Sequence, residues 1–214
     1  MTELQTDEEK VEAIKQWWKA NGISVIAGIT IGLGAVIGWR AWVNYQDSVA
    51  QQASIAFEQL LSSTANTANG MSESAEKQAE ILVGNYANTP YAMFADLAAA
   101  KVRIENGDTI GASAALESAI ERAPDPGLAK IAALRLARVL IASGELTKAK
   151  NIIDTYGNSD AFAADFTALR GDIASAQGQF GAARAAYQKA IDSGAANARL
   201  IELKLRELPA EDAS

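Results

Sequence analysis

The stretch Ala137-Arg-Val-Leu-Ile-Ala-Ser-Gly144-Glu-Leu-Thr-Lys-Ala149 decides how this 214-residue chain folds. Apolar residues recur at helical spacing before Gly144 and again after it, so the glycine separates two helices. The turn is repeated. Asn106-Gly107-Asp108, Ser143-Gly144-Glu145 and Gln177-Gly178-Gln179 are built alike, with their glycines 37 and 34 residues apart. A polar residue, a glycine and a polar residue between two apolar periodic segments is how a helix ends and the next begins.

A period near 34 residues, with one helix on each side of a glycine turn, is the spacing of tetratricopeptide repeats. Counting from the glycine extends the agreement. Five, nine and twelve residues on stand Ala112, Leu116 and Ala119, then Ala149, Ile153 and Tyr156, then Ala183, Tyr187 and Ala190. Seven residues before the turn stand Ala100, Ala137 and Gly171, small residues where the second helix must approach the first. The three extra residues of the first interval fall in the loop Ala123-Pro-Asp-Pro-Gly127, and Pro124 stands where the first repeat should end. The match is a diverged one: the first helices lack the usual Trp and Tyr, and repeat one carries Asp96 and Arg103 on its first helix. Flanking helices are predicted over Glu73–Asn85, ahead of a helix start at Thr89-Pro90, and over Asn197–Glu207 as a carboxyl-terminal cap.

Towards the amino terminus the pattern changes. Val49, Ala53, Ala56, Phe57 and Leu60 give Gln46–Ser62 a helical period, and Ser63–Ser72 reads as a polar loop. Before that lie 20 uncharged residues, Ala20–Trp39, held between Lys19 and Arg40. At a rise of about 1.5 Å per residue, 20 residues span about 30 Å, the thickness of a bilayer core. Trp17 and Trp18 precede the run, Trp39 ends it and Trp42 follows it, which matches aromatic belts at two membrane interfaces. Ser48-Val49-Ala50 has the form of a cleavage site, but it lies behind Arg40 and two tryptophans, too far from an apolar run that is itself too long for a signal peptide. Gly28-Ile-Thr-Ile-Gly32 and Gly34-Ala-Val-Ile-Gly38 are two copies of a small-residue motif that lets helices approach closely in lipid. Gly28, Gly32, Gly34 and Gly38 are therefore candidates for helix packing within the lipid bilayer, and Trp17, Trp18, Trp39 and Trp42 for its interfaces.

Lys10, Lys15 and Lys19 stand before the span, against Arg40 alone close behind it. The excess of basic residues predicts a cytoplasmic amino terminus and a large carboxyl-terminal part across the membrane. The tail opens with Thr6-Asp7-Glu8-Glu9, a capping-box pattern, and Val11, Ile14 and Trp18 then share one helical face. This gives residues 1–19 as tail, 20–43 as span with interfacial flanks, 44–72 as membrane-proximal helix and loop, and 73–214 as repeat domain. The fold class is all-α, a single transmembrane helix followed by a tetratricopeptide-like helical solenoid.

Composition narrows the chemistry. The chain has no His and no Cys, which excludes Ser-His-Asp and Cys-His nucleophilic catalysis, imidazole or thiolate metal sites and disulfides. A net charge of −7 argues against a nucleic-acid partner, which calls for a basic face. Carboxylate pairs such as Asp165 with Asp172 read as surface groups or partners of Arg170 rather than as an acid–base pair. No catalytic, cofactor-binding or metal-binding residue is assigned, and no cofactor is called for. Stacked helix pairs instead offer a wall for peptides or helices of other proteins.

Glu9-Lys-Val-Glu-Ala-Ile-Lys15, Trp17-Trp18, Asn21-Gly22, the glycine-studded span and Gly38-Trp-Arg-Ala-Trp42 resemble the YfgM family, as do Leu134-Arg-Leu-Ala-Arg-Val139 and Leu169-Arg-Gly-Asp172. The resemblance runs through the whole chain in one order: tail, span, repeats. It implies an ancillary subunit of the SecYEG translocon in the bacterial inner membrane, with its carboxyl-terminal domain in the periplasm. It also implies association with a PpiD-like periplasmic chaperone that receives translocating chains, and contact with a cytosolic response regulator. Residue pattern alone reaches only an anchored helical-repeat interaction module, for which a scaffold of another cell-envelope assembly is the alternative.

Overall fold

The computed structural model describes residues 7–64, 72–158 and 162–209, and every regular element among them is helical. The helices are α1 (Asp7–Thr64), α2 (Ser72–Asn85), α3 (Pro90–Glu105), α4 (Thr109–Glu121), α5 (Pro126–Ala142), α6 (Leu146–Tyr156), α7 (Ala163–Ala176), α8 (Phe180–Asp192) and α9 (Ala198–Glu207). The chain divides into two compact units, Met1–Val49 and Ala50–Ser214.

In the first unit α1 carries the apolar run. Ile23 is 87% exposed and Ile31 73%. An exposed helix of this length and composition meets the requirement for crossing a bilayer, where only a helix satisfies its own backbone. Thr30 Oγ1 donates to the Ile26 carbonyl at 2.8 Å, which spares its hydroxyl any need for water. The capping pattern at Thr6 lies outside the described residues.

In the second unit α1 resumes with Ala53 and Leu60 fully buried, and Leu60 joins a core built from α2 to α7. The polar loop predicted from Ser63 begins later. Ser63 and Thr64 are helical and buried, with Ser63 Oγ 2.7 Å from the Leu60 carbonyl and 3.2 Å from Gln78 Oε1 on α2. Their hydroxyls find partners inside the protein, so polarity alone did not end the helix. Residues 65–71 of that stretch lie outside the described residues.

From α2 to α9 each helix packs against the next in sequence. The helix starts follow from local chemistry. Pro90 and Pro126 open α3 and α5, where a missing N–H leaves no bond unmade. The Asp125 carboxylate accepts from the Gly127 and Leu128 amides at 2.8 and 3.0 Å, and the Asp108 carboxylate from Gly111 at 2.8 Å. The loop predicted over Ala123–Gly127 is accordingly shorter, because Pro126 and Gly127 already belong to α5.

The three turn glycines have φ of +78° (Gly107), +80° (Gly144) and +73° (Gly178), and Gly194 between α8 and α9 joins them at +79°. Each closes a Schellman motif. The residue after the glycine donates to the carbonyl five positions back, at 2.8 Å from Asp108 to Arg103, 2.8 Å from Glu145 to Leu140, 2.9 Å from Gln179 to Ala174 and 3.0 Å from Ala195 to Ala190. The packing positions counted from the glycines behave alike. Ala112, Leu116, Ala119, Ala149, Ile153, Ala183, Tyr187 and Ala190 are all buried; Tyr156, half-buried, is the exception. Gly171 is small for a steric reason. A Cβ there would stand 2.6 Å from two ring carbons of Tyr187, whereas the corresponding positions carry Ala100 and the smaller Leu116 in repeat one, and Ala137 and Ile153 in repeat two.

Candidate partner-binding surface

Among the described residues the repeat helices leave an apolar groove. α5 packs directly on α7, whereas two adjoining hollows of about 410 Å³ each open between α3 and α5. The first is lined by Leu97, Ile104, Leu116 and Val139. The second runs on past Leu97 to Phe57, Phe94 and Ile131. Phe57 is wedged among aromatic rings, with centroids 5.8 Å from Tyr91 and 5.9 Å from Phe94. Lys101 and Arg135 border both hollows, and Arg138 and Glu105 border the first. Volumes of this size suit the insertion of large side chains.

The two unusual charges of repeat one turn out to be structural. Asp96 is 7% exposed; Ser118 Oγ donates to it at 2.8 Å and Arg122 Nε lies 3.3 Å away, so α3 is tied to α4. Burial raises the Asp96 carboxyl above its ordinary range, opposed by the Ser118 hydrogen bond and the Arg122 charge. Arg103 Nε donates to Glu76 on α2 at 2.6 Å, and its Nη1 to the Gly111 carbonyl on α4 at 3.1 Å. One side chain thus spans three helices.

Of the two readings the sequence offered for Asp165 and Asp172, surface groups or partners of Arg170, the second does not hold. Asp172 accepts from Tyr187 at 2.7 Å and from Lys204 of α9 at 2.7 and 2.8 Å, Asp165 accepts from the Ala196 amide at 3.3 Å, and Arg170 faces Asp154 at 3.7 Å. Burial, helped by the Asp172 hydrogen bond, pushes the Tyr187 hydroxyl well above the normal phenol range, so it stays a donor. These groups lock α7, α8 and α9 together.

Along α1, a Cβ added at Gly28, Gly32, Gly34 or Gly38 would meet nothing within 4 Å. Trp17, Trp18, Trp39 and Trp42 are each more than half exposed, with the Trp39 and Trp42 rings tilted at 40° and their centroids 5.3 Å apart, and the Trp18 ring lying over Gly22. Sequence reasoning missed the groove and the fourth turn. Ser193-Gly194-Ala195 could have been found from its likeness to the other turns, but the groove depends on how far apart α3 and α5 stand, which no local pattern records.

A family model described as a tetratricopeptide repeat-like domain matches residues 15–210. A protein of Haemophilus influenzae named ancillary SecYEG translocon subunit is 32% identical over 94% of this chain and 97% of its own length. A protein of the same name from Aggregatibacter actinomycetemcomitans is 32% identical over the same shares, and one from Escherichia coli K12 is 28% identical over 95% and 97%. The chain belongs to the YfgM family. Membership fits the geometry just described. The match to the family members is nearly end to end, so it takes in the exposed apolar helix as well as the repeats. The tetratricopeptide-like domain points to an interaction module rather than a reaction centre.

Proposed function

We propose that the chain is a non-catalytic, single-pass adaptor of the SecYEG translocon in the bacterial inner membrane, with its amino terminus in the cytoplasm and its repeats in the periplasm. What carries this reading is the near full-length similarity to three relatives that bear the name ancillary SecYEG translocon subunit. Lys10, Lys15 and Lys19 against Arg40 support the orientation. The division of labour follows from the two units. The span, residues 20–43, with interfacial Trp17, Trp18, Trp39 and Trp42, holds the repeats beside the channel, and Gly28 with Gly32, and Gly34 with Gly38, offer two small-residue stripes for another transmembrane helix. Tethering raises the local concentration of weak contacts without tight binding. The repeat domain then engages a PpiD-like chaperone and helps pass emerging chains to it, while the tail meets a cytosolic regulator.

Affinity purification of the full chain in mild detergent should recover SecYEG. Recovery of a wall-building or division complex without SecYEG would defeat the proposal. Replacing Gly28 and Gly32 together by Leu should lower that recovery; unchanged recovery removes the glycine face from the interface. Protease added to spheroplasts should digest the repeat domain, and full protection would reverse the orientation.

A further inference from the structure

The groove between α3 and α5 has a charge pattern that specifies its occupant. Lys101, Arg135 and Arg138 stand on its rim against Glu105 alone, although residues from 44 onward carry a net charge of −6. Glu105 is already engaged by Lys101 at 3.7 Å. Among the described residues neither Arg135 nor Arg138 meets a carboxylate, and both are exposed. Arg103 and Arg122, by contrast, are used internally. Arg135 and Arg138 are three residues apart on α5, hence neighbours on one helical face. Their guanidinium groups are suited to bidentate carboxylate recognition. Beneath them Leu97 and Val139 form an apolar floor, with Ile104 on the opposite wall.

We infer that this groove binds a partner segment in which large apolar side chains alternate with Asp or Glu, the apolar groups seated on the floor and the carboxylates held by Arg135 and Arg138. Anchors in a desolvated floor supply affinity, and the cationic rim supplies selection and orientation. The inference deepens the adaptor reading, because it names the chemistry of the segment the repeats accept.

The test uses the full chain in mild detergent and a fluorescein-labelled synthetic peptide alternating Phe or Leu with Glu, against a counterpart with Lys for every Glu. Fluorescence anisotropy should show binding of the acidic peptide, at least about tenfold weaker binding of the basic one, and weakening by salt. Arg135→Glu with Arg138→Glu should lose the acidic peptide by about tenfold or more and gain the basic one, with the thermal transition unmoved because both side chains are exposed. Ile104→Asp, from the opposite wall, should weaken the acidic peptide without that swap. Equal affinity for the two peptides, unchanged affinity in the arginine variant, or no binding by the wild-type chain overturns the inference. A doubled mass in light scattering together with absent peptide binding does so in favour of a second copy in the groove. SecYEG recovery with the arginine variant is scored separately. Retained recovery with lost peptide binding supports the groove assignment, whereas wild-type peptide binding without SecYEG recovery refutes the translocon reading and leaves the groove chemistry standing.

Discussion

Gly171 should respond to substitution in a way that depends on Tyr187. Alanine is favoured over glycine in a helix interior by about 1 kcal/mol, so Gly171→Ala taken alone should stabilise α7. The structure opposes this. The new methyl would lie 2.6 Å from Cδ1 and Cε1 of Tyr187, about 1 Å inside the roughly 3.5–4 Å at which carbon atoms attract. The ring has no room to retreat, being 2% exposed with its hydroxyl held by Asp172 at 2.7 Å. Overpacking of this kind costs about 1–3 kcal/mol, which outweighs the gain in propensity and leaves the variant about 1 kcal/mol less stable. In a Tyr187→Ile background, which copies the residues at the corresponding positions of repeat two, Ala137 and Ile153, the same Gly171→Ala change should be stabilising. The two backgrounds should therefore differ in sign, with a coupling of about 1–3 kcal/mol. Urea unfolding of the full chain in mild detergent, followed by far-ultraviolet circular dichroism, measures all four species. The same effect of Gly171→Ala in both backgrounds would refute the steric account of the small residue.

Gly144→Ala meets no neighbouring atom, so its cost is purely conformational, about 1–2 kcal/mol for a side chain at a φ of +80°; Gly144→Asn should cost less, and urea midpoints decide. Asp96 binds its proton more tightly folded than unfolded, so its contribution to stability is full at low pH and falls as pH rises from the ordinary carboxyl value of 3.8 through its elevated folded value. Melting temperatures of Asp96→Asn and wild type should accordingly diverge in favour of the Asn variant between pH 4 and neutrality, and the opposite drift would be a refutation. Lys204→Met removes the donor to Asp172 and should speed hydrogen exchange in Ala198–Glu207 before the rest of the repeats; uniform exchange would show that α9 is held by its apolar face alone.

Much of the fold was legible because its signals are local. A glycine at positive φ, a proline at a helix start and a 20-residue uncharged run each fix structure within their own neighbourhood, and the offsets from Gly107, Gly144 and Gly178 located the buried positions without any knowledge of tertiary contacts. The readings that failed were those needing a partner distant in sequence. Ser63 looked like loop because its neighbour Gln78 was unknown, and Asp172 looked solvated because Lys204 lies 32 residues away. The groove was invisible for the same reason, since Arg135 means little until Lys101 and Leu97 are known to face it. Gly194 was a different failure: its turn is as clear as the others but falls off the 34-residue count.

The four Schellman turns carry a consequence for how such a domain reaches its destination. Each helix of the repeats finds its main neighbour next in the chain, and the hairpin that joins them is completed by hydrogen bonds spanning five residues or fewer. A polypeptide delivered amino end first through a narrow pore can therefore order one hairpin at a time, each new pair docking on a finished one, with no need for its last residues to arrive before its first are secure.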